Sequence, residues 1–180
     1  DYALLYVSST LDQTPLPTRF SSLTLDVDLL PRNTEGRSIV IGGYPAGALL
    51  RGGADAALVP VVAESTVGAL YTFGSNYADL FAIAESPVGE EGASGGPIVS
   101  EESGKTIGLI VTRGDEATEG ARSLRALTLS YLDRTIRQET GFSLAQNMQG
   151  DVALRGAVFK QAIFPFLAEK LADELDAKAP

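Results

Sequence analysis

The sequence predicts an all-β fold that ends in helices, and three observations support this prediction. Between residues 38 and 129 the chain consists of short runs rich in Val, Ile and Leu, separated by Gly, Pro or charged residues. These turn signals recur about every 8–15 residues, a spacing typical of a small antiparallel barrel or sandwich. Helical patterns appear only after this region. The predicted strands comprise residues 38–44, 57–63, 67–73, 80–84, 97–100, 106–112 and 123–129.

Two local signals mark the ends of predicted elements. Residues 102–105 (Glu-Ser-Gly-Lys) have the composition of a hairpin turn between two of the strands. Ser130 and Asp133 stand at capping-box spacing, with Asp in place of the usual Glu, and predict the start of a helix. Gly141 is placed to end that helix.

Beyond Gly141 the composition shifts, and we expect residues 142–180 to form a helical appendage to a main domain of residues 1–141. Pro165 suits the first turn of a helix. The appendage contains an apolar stripe that must be buried, either against the barrel, in a homo-oligomer formed through this helix, or against a further domain. The apolar residues of this stripe, which recur at helical spacing, are Phe164, Leu167, Leu171 and Leu175.

The start of the sequence is typical of a strand that has been cut. Residues 3–7 are an apolar run that suits a buried strand. Residues 8–36 are rich in Ser, Thr, Pro and Asp and predict a long connection with one short strand near residues 23–27. The first residue is Asp1 rather than Met, and no signal peptide precedes the apolar run. We therefore expect the sequence to be truncated at its start.

Composition excludes several classes of function. The formal net charge of -9, from 14 basic and 23 acidic residues, disfavours nucleic acid and anionic membranes as partners. No apolar run reaches the roughly 18–20 residues of a membrane span. The sequence contains no cysteine and no histidine, and no Asp/Glu spacing resembles a calcium loop. We therefore expect neither disulfides nor a metal site.

The motif that carries chemistry is Gly-Ala-Ser-Gly-Gly-Pro at residues 92–97. A serine between glycines can present its hydroxyl on a tight turn that bulkier neighbours would block. The same turn can direct the backbone N–H groups of Gly92 and Ser94 at one point. Such an oxyanion hole stabilises a transition state by about 3–4 kcal/mol per donor.

Two other interpretations also fit the composition of this motif. A glycine-rich turn that joins two strands is common and needs no function. The string also matches the G-x-S-x-G elbow of α/β-hydrolases, but that elbow requires a helix directly after the serine. Gly95, Gly96 and Pro97 disfavour a helix there, and β-branched residues follow. The hydrolase interpretation therefore fails.

The motif resembles the G-D/N-S-G-G-P signature of trypsin-like (chymotrypsin-fold) serine proteases. Residues 106–114 (Thr-Ile-Gly-Leu-Ile-Val-Thr-Arg-Gly) are similar to the following strand of that family, which lines the substrate cleft. Residues 1–5 (Asp-Tyr-Ala-Leu-Leu) resemble the segment with its catalytic aspartate, and residues 36–45 resemble the first strand of the second barrel in bacterial members. The resemblance covers residues 1–140 in the family's order.

The resemblance implies a chymotrypsin-like double β-barrel, with the second barrel complete and the first mostly missing. It implies a serine endopeptidase that hydrolyses polypeptides through an acyl-enzyme and needs no cofactor. Ser94 would be the nucleophile, Asp1 would orient the histidine, and the N–H groups of Gly92 and Ser94 would form the oxyanion hole. A bacterial, extracytoplasmic protein is expected on the same resemblance.

The absence of histidine bears on this interpretation. The Ser-His-Asp triad occurs in three chain orders on three folds. With Asp1 and Ser94 as members, only the order His-Asp-Ser places the histidine before Asp1, outside the sequence. We expect the fragment alone to be inactive for lack of this base. The alternative is a non-catalytic member of the fold that binds peptides in its cleft.

The sequence also departs from the family pattern. Ala93 stands where the family has Asp or Asn, so activation by pairing that acid with a new N-terminus is not expected. The resemblance places the floor of the specificity pocket at Val88 and Gly89, where an aspartate would select Lys or Arg. The predicted substrate-binding set is completed by the end of the cleft strand, with Arg113 on the pocket rim: Thr112, Arg113 and Gly114.

Overall fold

The computed structural model describes residues 2–10, 12–44, 59–84, 86, 88, 92–113 and 124–177. The chain divides into two compact units. One unit is formed by Ser21–Ser143, and the other by Asp1–Phe20 together with Leu144–Pro180. Each unit is described by itself below.

The unit of residues 21–143 is a closed antiparallel β-barrel. In the described part of the chain its strand order is β1-β2-β3-β6-β5-β4, with β4 pairing back to β1. All neighbouring strands in this sheet are antiparallel, so the predicted antiparallel barrel is confirmed for this unit. The strands are β1 Ser38–Gly43, β2 Val61–Tyr71, β3 Leu80–Ile83, β4 Pro97–Ser100, β5 Thr106–Arg113 and β6 Leu124–Thr128.

Two of the predicted strands, residues 57–63 and 67–73, form the single strand β2. Its first half pairs with β1 from Val61 to Thr66, and its second half pairs with β3. Glu64 and Thr66 are exposed on the outer face of the barrel, while Ser65 between them is partly buried. The prediction was wrong because these outward polar residues of an alternating strand resembled a turn. Residues 57 and 58 lie outside the described residues.

The predicted buried strand at residues 3–7 is also wrong. These residues form no strand, and Leu5 is 89% exposed. An apolar run becomes a buried strand only when another strand pairs with it, and local sequence does not supply the partner. The short strand predicted near residues 23–27 is present as one bridge, in which Leu25 pairs with Thr106. The N–H of Asp26 donates to the carbonyl of Thr106 at 2.8 Å.

The barrel interior is packed with branched side chains and one aromatic ring. Phe81 and Ile41 are completely buried. Gly108 lies beside Phe81. A side chain does not fit at this position, because a Cβ would come within 2.9 Å of the ring. The buried residues that form this core are Ile39, Ile41, Val67, Phe81, Ile83, Val88, Ala93, Ile98, Ile107, Ile110, Leu124 and Ala126.

Helix α1, Leu129–Thr140, follows β6 without a loop. Its N-cap is Thr128, whose Oγ1 accepts the N–H of Tyr131 at 3.1 Å. The predicted cap at Ser130 is therefore wrong by two residues, because the last residue of the strand supplies the hydroxyl. Gly141 ends the helix as predicted, with φ of 79° and its N–H bonded to the carbonyl of Arg137.

A buried carboxylate fastens α1 to the hairpin between β2 and β3. Asp79 is 1% exposed and forms an ion pair with Arg134 of the helix. Its other oxygen accepts the N–H of Phe73 at 2.8 Å and the hydroxyl of Ser75 at 2.7 Å. The N–H of Thr128 donates to the Asp79 carbonyl at 3.0 Å. One residue thus links the hairpin, the last strand and the helix.

Residues 144–177 of the second unit are mostly helical, as predicted. They form α2 (Leu144–Asn147), α3 (Val152–Val158), a π-helical turn (Phe159–Ile163) and α4 (Phe164–Asp176). Asp151 caps α3 by accepting the N–H of Leu154 at 2.8 Å. Pro165 lies in the first turn of α4, as expected. Over the ranges given above, no helix has the length and apolar character needed to cross a bilayer.

We expect Asp79→Ala to destabilise the 180-residue chain by about 2–4 kcal/mol. The substitution leaves the N–H of Phe73 and the hydroxyl of Ser75 without their acceptor, while Arg134 is one third exposed and can be rehydrated in part. Urea unfolding followed by circular dichroism measures the change.

The matched control is Glu102→Ala, which breaks the ion pair between Arg37 and Glu102. The side chains of that pair are 42% and 70% exposed, so the loss should be about 0–1 kcal/mol. Equal effects of the two substitutions would contradict the role assigned to Asp79.

Candidate active site

The serine motif forms a tight turn directly before β4. Gly92 and Gly95 have φ of 93° and 85°, a left-handed conformation that favours glycine. The N–H of Gly96 donates to the carbonyl of Ala93 at 3.0 Å and closes the turn. Ser94 lies at the apex and is exposed. The sequence therefore places the hydroxyl where an incoming molecule can reach it.

Strand β5 holds this turn in place through the backbone. The N–H of Gly95 donates to the carbonyl of Ile110 at 2.7 Å, and the N–H of Ile110 donates to the carbonyl of Gly96 at 2.9 Å. The register of β5 against β6 shifts between Ile110 and Thr112, so Val111 opposes no residue of β6. A bulge at this point bends the strand beside the serine, a position where bulges often occur in enzymes.

The hydroxyl of Ser94 donates to the carbonyl of Val111 at 3.5 Å. This contact is long, and a carbonyl oxygen cannot remove the proton that a nucleophilic serine must lose. Among the described residues no side chain is bonded to this hydroxyl. The described site therefore presents a serine without a general base.

The two predicted oxyanion donors are the N–H groups of Gly92 and Ser94. In the described residues neither group donates to a backbone carbonyl, whereas those of Gly95 and Gly96 do. An N–H group at an exposed turn without an internal acceptor is available to a bound ligand. The role of Gly92 and Ser94 as an oxyanion hole stays a prediction.

Gly96 has no room for a side chain. A Cβ there would overlap the carbonyl oxygen of Gly42 and lie 2.9 Å from that of Ala93. The backbones of β1 and of the serine turn thus approach each other closely, which the third glycine of the motif permits.

Below the serine, two apolar side chains fasten its loop to the barrel core. Ala93 is 3% exposed and Val88 is completely buried. The N–H of Val88 donates to the hydroxyl of Ser86 at 3.1 Å. A Cβ on Gly43 would lie 2.9 Å from Cγ1 of Val88 and 3.6 Å from Cβ of Ala93. Gly43 therefore provides the space that these two side chains fill.

Several predicted site residues are not brought together by the described structure. Asp1, Gly89 and Gly114 lie outside the described residues. Thr112 and Arg113 end strand β5, where they pair with Arg125 and Leu124 of β6. Their assignments as catalytic or substrate-binding residues stay predictions.

A lysine can serve as the base of a nucleophilic serine, but Lys105 is exposed on the hairpin between β4 and β5. Ser94 precedes β4 and this hairpin follows it, so the strand separates the two residues. The sequence analysis missed Gly43 and Val111, which position the turn. The Gly-Gly pair at the end of β1 was a signal for Gly43, while a bulge at Val111 leaves no signature in the sequence.

Across the described ranges no three His, Cys, Asp or Glu side chains form a group that could hold a metal ion. The buried carboxylate of Asp79 forms an ion pair with Arg134. In the described part of the chain, the groups present at Ser94 are its hydroxyl and backbone N–H groups.

Three solved structures to which the chain is similar are chymotrypsin-fold proteins, the class that the sequence resembles. A scabies mite inactivated protease paralogue has a TM-score of 0.47 and 19% identity over 67% of this chain and 53% of its own. An HtrA-type protease solved with a decapeptide has a TM-score of 0.44 and 19% identity over 73% of this chain and 36% of its own. Kallikrein-related peptidase 10 has a TM-score of 0.41 and 14% identity over 71% of this chain and 60% of its own.

This chain thus spans between 36% and 60% of the length of these structures. No family model and no curated protein matches the sequence.

We expect Gly43→Ala to destabilise the barrel by about 1–3 kcal/mol, because the new methyl group collides with the buried Val88. Val88→Ala should relieve the collision, so the double variant should lose less than the sum of the two single variants. A coupling of about 1 kcal/mol or more is expected for residues in contact. Thermal unfolding of the four proteins measures it.

The adjacent Gly42→Ala serves as the control. Its Cβ would lie 3.8 Å from Cγ of Pro97, an ordinary contact, and the change should stay within about 0.5 kcal/mol. Additive effects of Gly43→Ala and Val88→Ala would show that the two residues do not share one space.

Proposed function

We propose that this chain is the second-barrel half of a trypsin-like serine endopeptidase with a double-barrel fold. The observation that supports the proposal most directly is the exposed Ser94 on a turn whose Gly92 and Ser94 N–H groups have no backbone acceptor in the described structure. A turn built only to join two strands does not require a serine at its apex. It also does not require two N–H donors that have no acceptor among the described residues beside the hydroxyl.

The proposed reaction is acyl transfer followed by hydrolysis. Oγ of Ser94 attacks the scissile carbonyl carbon while a histidine outside these 180 residues removes its proton. The carbonyl oxygen gains the negative charge and is stabilised by the N–H groups of Gly92 and Ser94. The histidine then gives the proton to the leaving amine, and water releases the acyl group by the same steps. Asp1 would hold the histidine in its reactive tautomer.

The expected substrate is a polypeptide. Val88 and Gly89 would lie at the floor of the pocket for the residue before the cleaved bond, where the sequence has no aspartate to select a basic residue. Thr112, Arg113 and Gly114 would line the cleft, with Arg113 repelling cations at the rim. No cofactor is required by this chemistry.

Ala93 supports a site that does not depend on proteolytic activation. Its methyl group is buried in the core, at the position where the resembled family places an acid that pairs with a freed N-terminus. An alanine cannot form that ion pair. In this proposal the serine turn is held instead by packing and by its bonds to Ile110.

A peptide-binding module without catalysis is the second candidate. It is favoured by one observation, the absence of any side-chain base bonded to Ser94 in the described residues. The two candidates differ in whether a histidine lies near Ser94 in the complete protein.

Extracytoplasmic location and a boundary of the helical appendage at residue 142 remain parts of the proposal.

The 180-residue chain alone should not hydrolyse peptides. It has no histidine, and an oxyanion hole without its base retains only about 10³–10⁴-fold acceleration over water. A fluorogenic casein or peptide-library assay measures this activity. Robust hydrolysis that Ser94→Ala abolishes would show that another base serves Ser94.

In the protein that carries the first barrel and its histidine, a fluorophosphonate probe should label Ser94 alone. Ser94→Ala should abolish the labelling, whereas Ser100→Ala, on the neighbouring strand β4, should retain it. Peptide mass spectrometry identifies the modified residue. A folded protein that contains the histidine and stays unlabelled would favour the binding module.

A further inference from the structure

The second unit exposes a long apolar helix face. Helix α3, the π turn and α4 form a continuous helical run from residue 152 to residue 176, about 37 Å long at about 1.5 Å per residue. No residue of this run is buried. We define its apolar face by five exposed side chains, which are Phe159, Phe164, Leu167, Leu171 and Leu175.

The π turn keeps this apolar face in line. The N–H of Phe164 donates to the carbonyl of Phe159, five residues earlier. The wider turn brings these two rings to nearly the same side of the helix, as an interval of four residues does in an α-helix. Leu167, Leu171 and Leu175 then follow at intervals of three or four residues. One stripe therefore extends through both helices.

Within the described residues of its own unit, the run is covered at its beginning by Tyr6. A Cβ on Gly156 would lie 3.1 Å from Cδ1 of Tyr6, so Tyr6 packs against α3. From Phe159 to Leu175 the large apolar side chains are 46–62% exposed. Apolar patches of this kind mark interaction surfaces.

The charges along the run are segregated. Its first half, residues 152–163, carries two basic residues, Arg155 and Lys160, and no acid. The second half, residues 164–176, has one base, Lys170, and four acids, Glu169, Asp173, Glu174 and Asp176. A parallel second copy would bring the acids together, whereas an antiparallel copy brings the basic half beside the acidic half. The acidic half also disfavours an anionic lipid surface.

We propose that the apolar face pairs with the same face of a second copy of this chain, antiparallel and centred between Phe164 and Pro165. At this register Arg155 lies level with Glu174 of the second copy. Arg155 lies four residues before Phe159 and Glu174 three residues after Leu171, so both flank the apolar face. The arrangement is two-fold symmetric, and each pair therefore occurs twice. This pairing does not depend on the proposed function.

The oligomeric state of the full 180-residue chain tests the pairing. Sedimentation equilibrium at micromolar concentrations should give a dimer, and Leu171→Glu should give a monomer. Val62→Glu, which alters a 69% exposed residue on the outer face of β2, should leave the dimer intact. A wild-type chain that stays monomeric would overturn the proposal. A monomer that sediments with phosphatidylcholine vesicles would overturn it as well, because the apolar face would then bind lipid instead of a second copy.

The charge pattern gives a test that does not depend on the apolar core of the interface. Glu174→Arg should weaken the dimer by about tenfold or more, because it opposes Arg155 of the second copy. Adding Arg155→Glu should restore the wild-type dissociation constant. An unchanged constant in the single variant, or no restoration in the double variant, would overturn the proposed register.

Disulfide crosslinking distinguishes antiparallel from parallel pairing, since the chain has no cysteine of its own. Under mild oxidation Phe164→Cys, near the centre, should form a covalent dimer. Leu175→Cys should not, because its two copies would lie about 31 Å apart along the helix axis. Efficient crosslinking of Leu175→Cys would show a parallel pair and overturn the proposal.

Discussion

The close approach of Gly96 to β1 is the constraint on which the barrel and its candidate site both depend. No Cβ fits between Gly96 and the carbonyl oxygen of Gly42. On its other side, Gly96 accepts the N–H of Ile110 from β5. The start of β4 is thus fixed between two strands, and the barrel closes there. Because Ser94 lies two residues earlier, the contact that closes the barrel also sets the position of the hydroxyl.

The other ends of the strands are held by a different kind of interaction. Asp79 is buried with a charge that only its hydrogen bonds and Arg134 compensate. Thr128 joins this network through its backbone and caps α1 with its side chain. The hydrogen bonds and the ion pair of a buried acid are more directional than apolar packing. The helix is therefore docked in one orientation, while the serine turn rests on backbone bonds and packing.

The sequence predicted the elements whose signals are local. The hairpin at residues 102–105 is confirmed by the bonds between Ser100 and the residues after it, and the helix end at Gly141 by its left-handed φ. Strand alternation gave most of the barrel, because inward apolar residues repeat with a period of two. Where two polar residues faced outward in the middle of β2, the same reasoning divided one strand into two.

What the sequence could not predict depends on partners distant along the chain. Residues 3–7 have the composition of a strand, but only a pairing segment makes them one. The cap at Thr128 was missed because β6 continues directly into α1. The glycine motif predicted the exposed serine correctly, yet the space that Gly43 leaves for Val88 emerges only when β1 and the loop before Ser94 are packed together.

The way in which the serine turn is held has a consequence for its chemistry. Its fixed contacts are backbone hydrogen bonds to Ile110 and the packing of Ala93 in the core. Neither type of contact contains a group that titrates, so among the described residues the contacts that hold Gly92 and Ser94 do not depend on pH. An ion pair at the Ala93 position would have made that geometry depend on the charge of its partner. Under the proposed function, these described contacts add no pH dependence to that of the base that accepts the proton of Ser94.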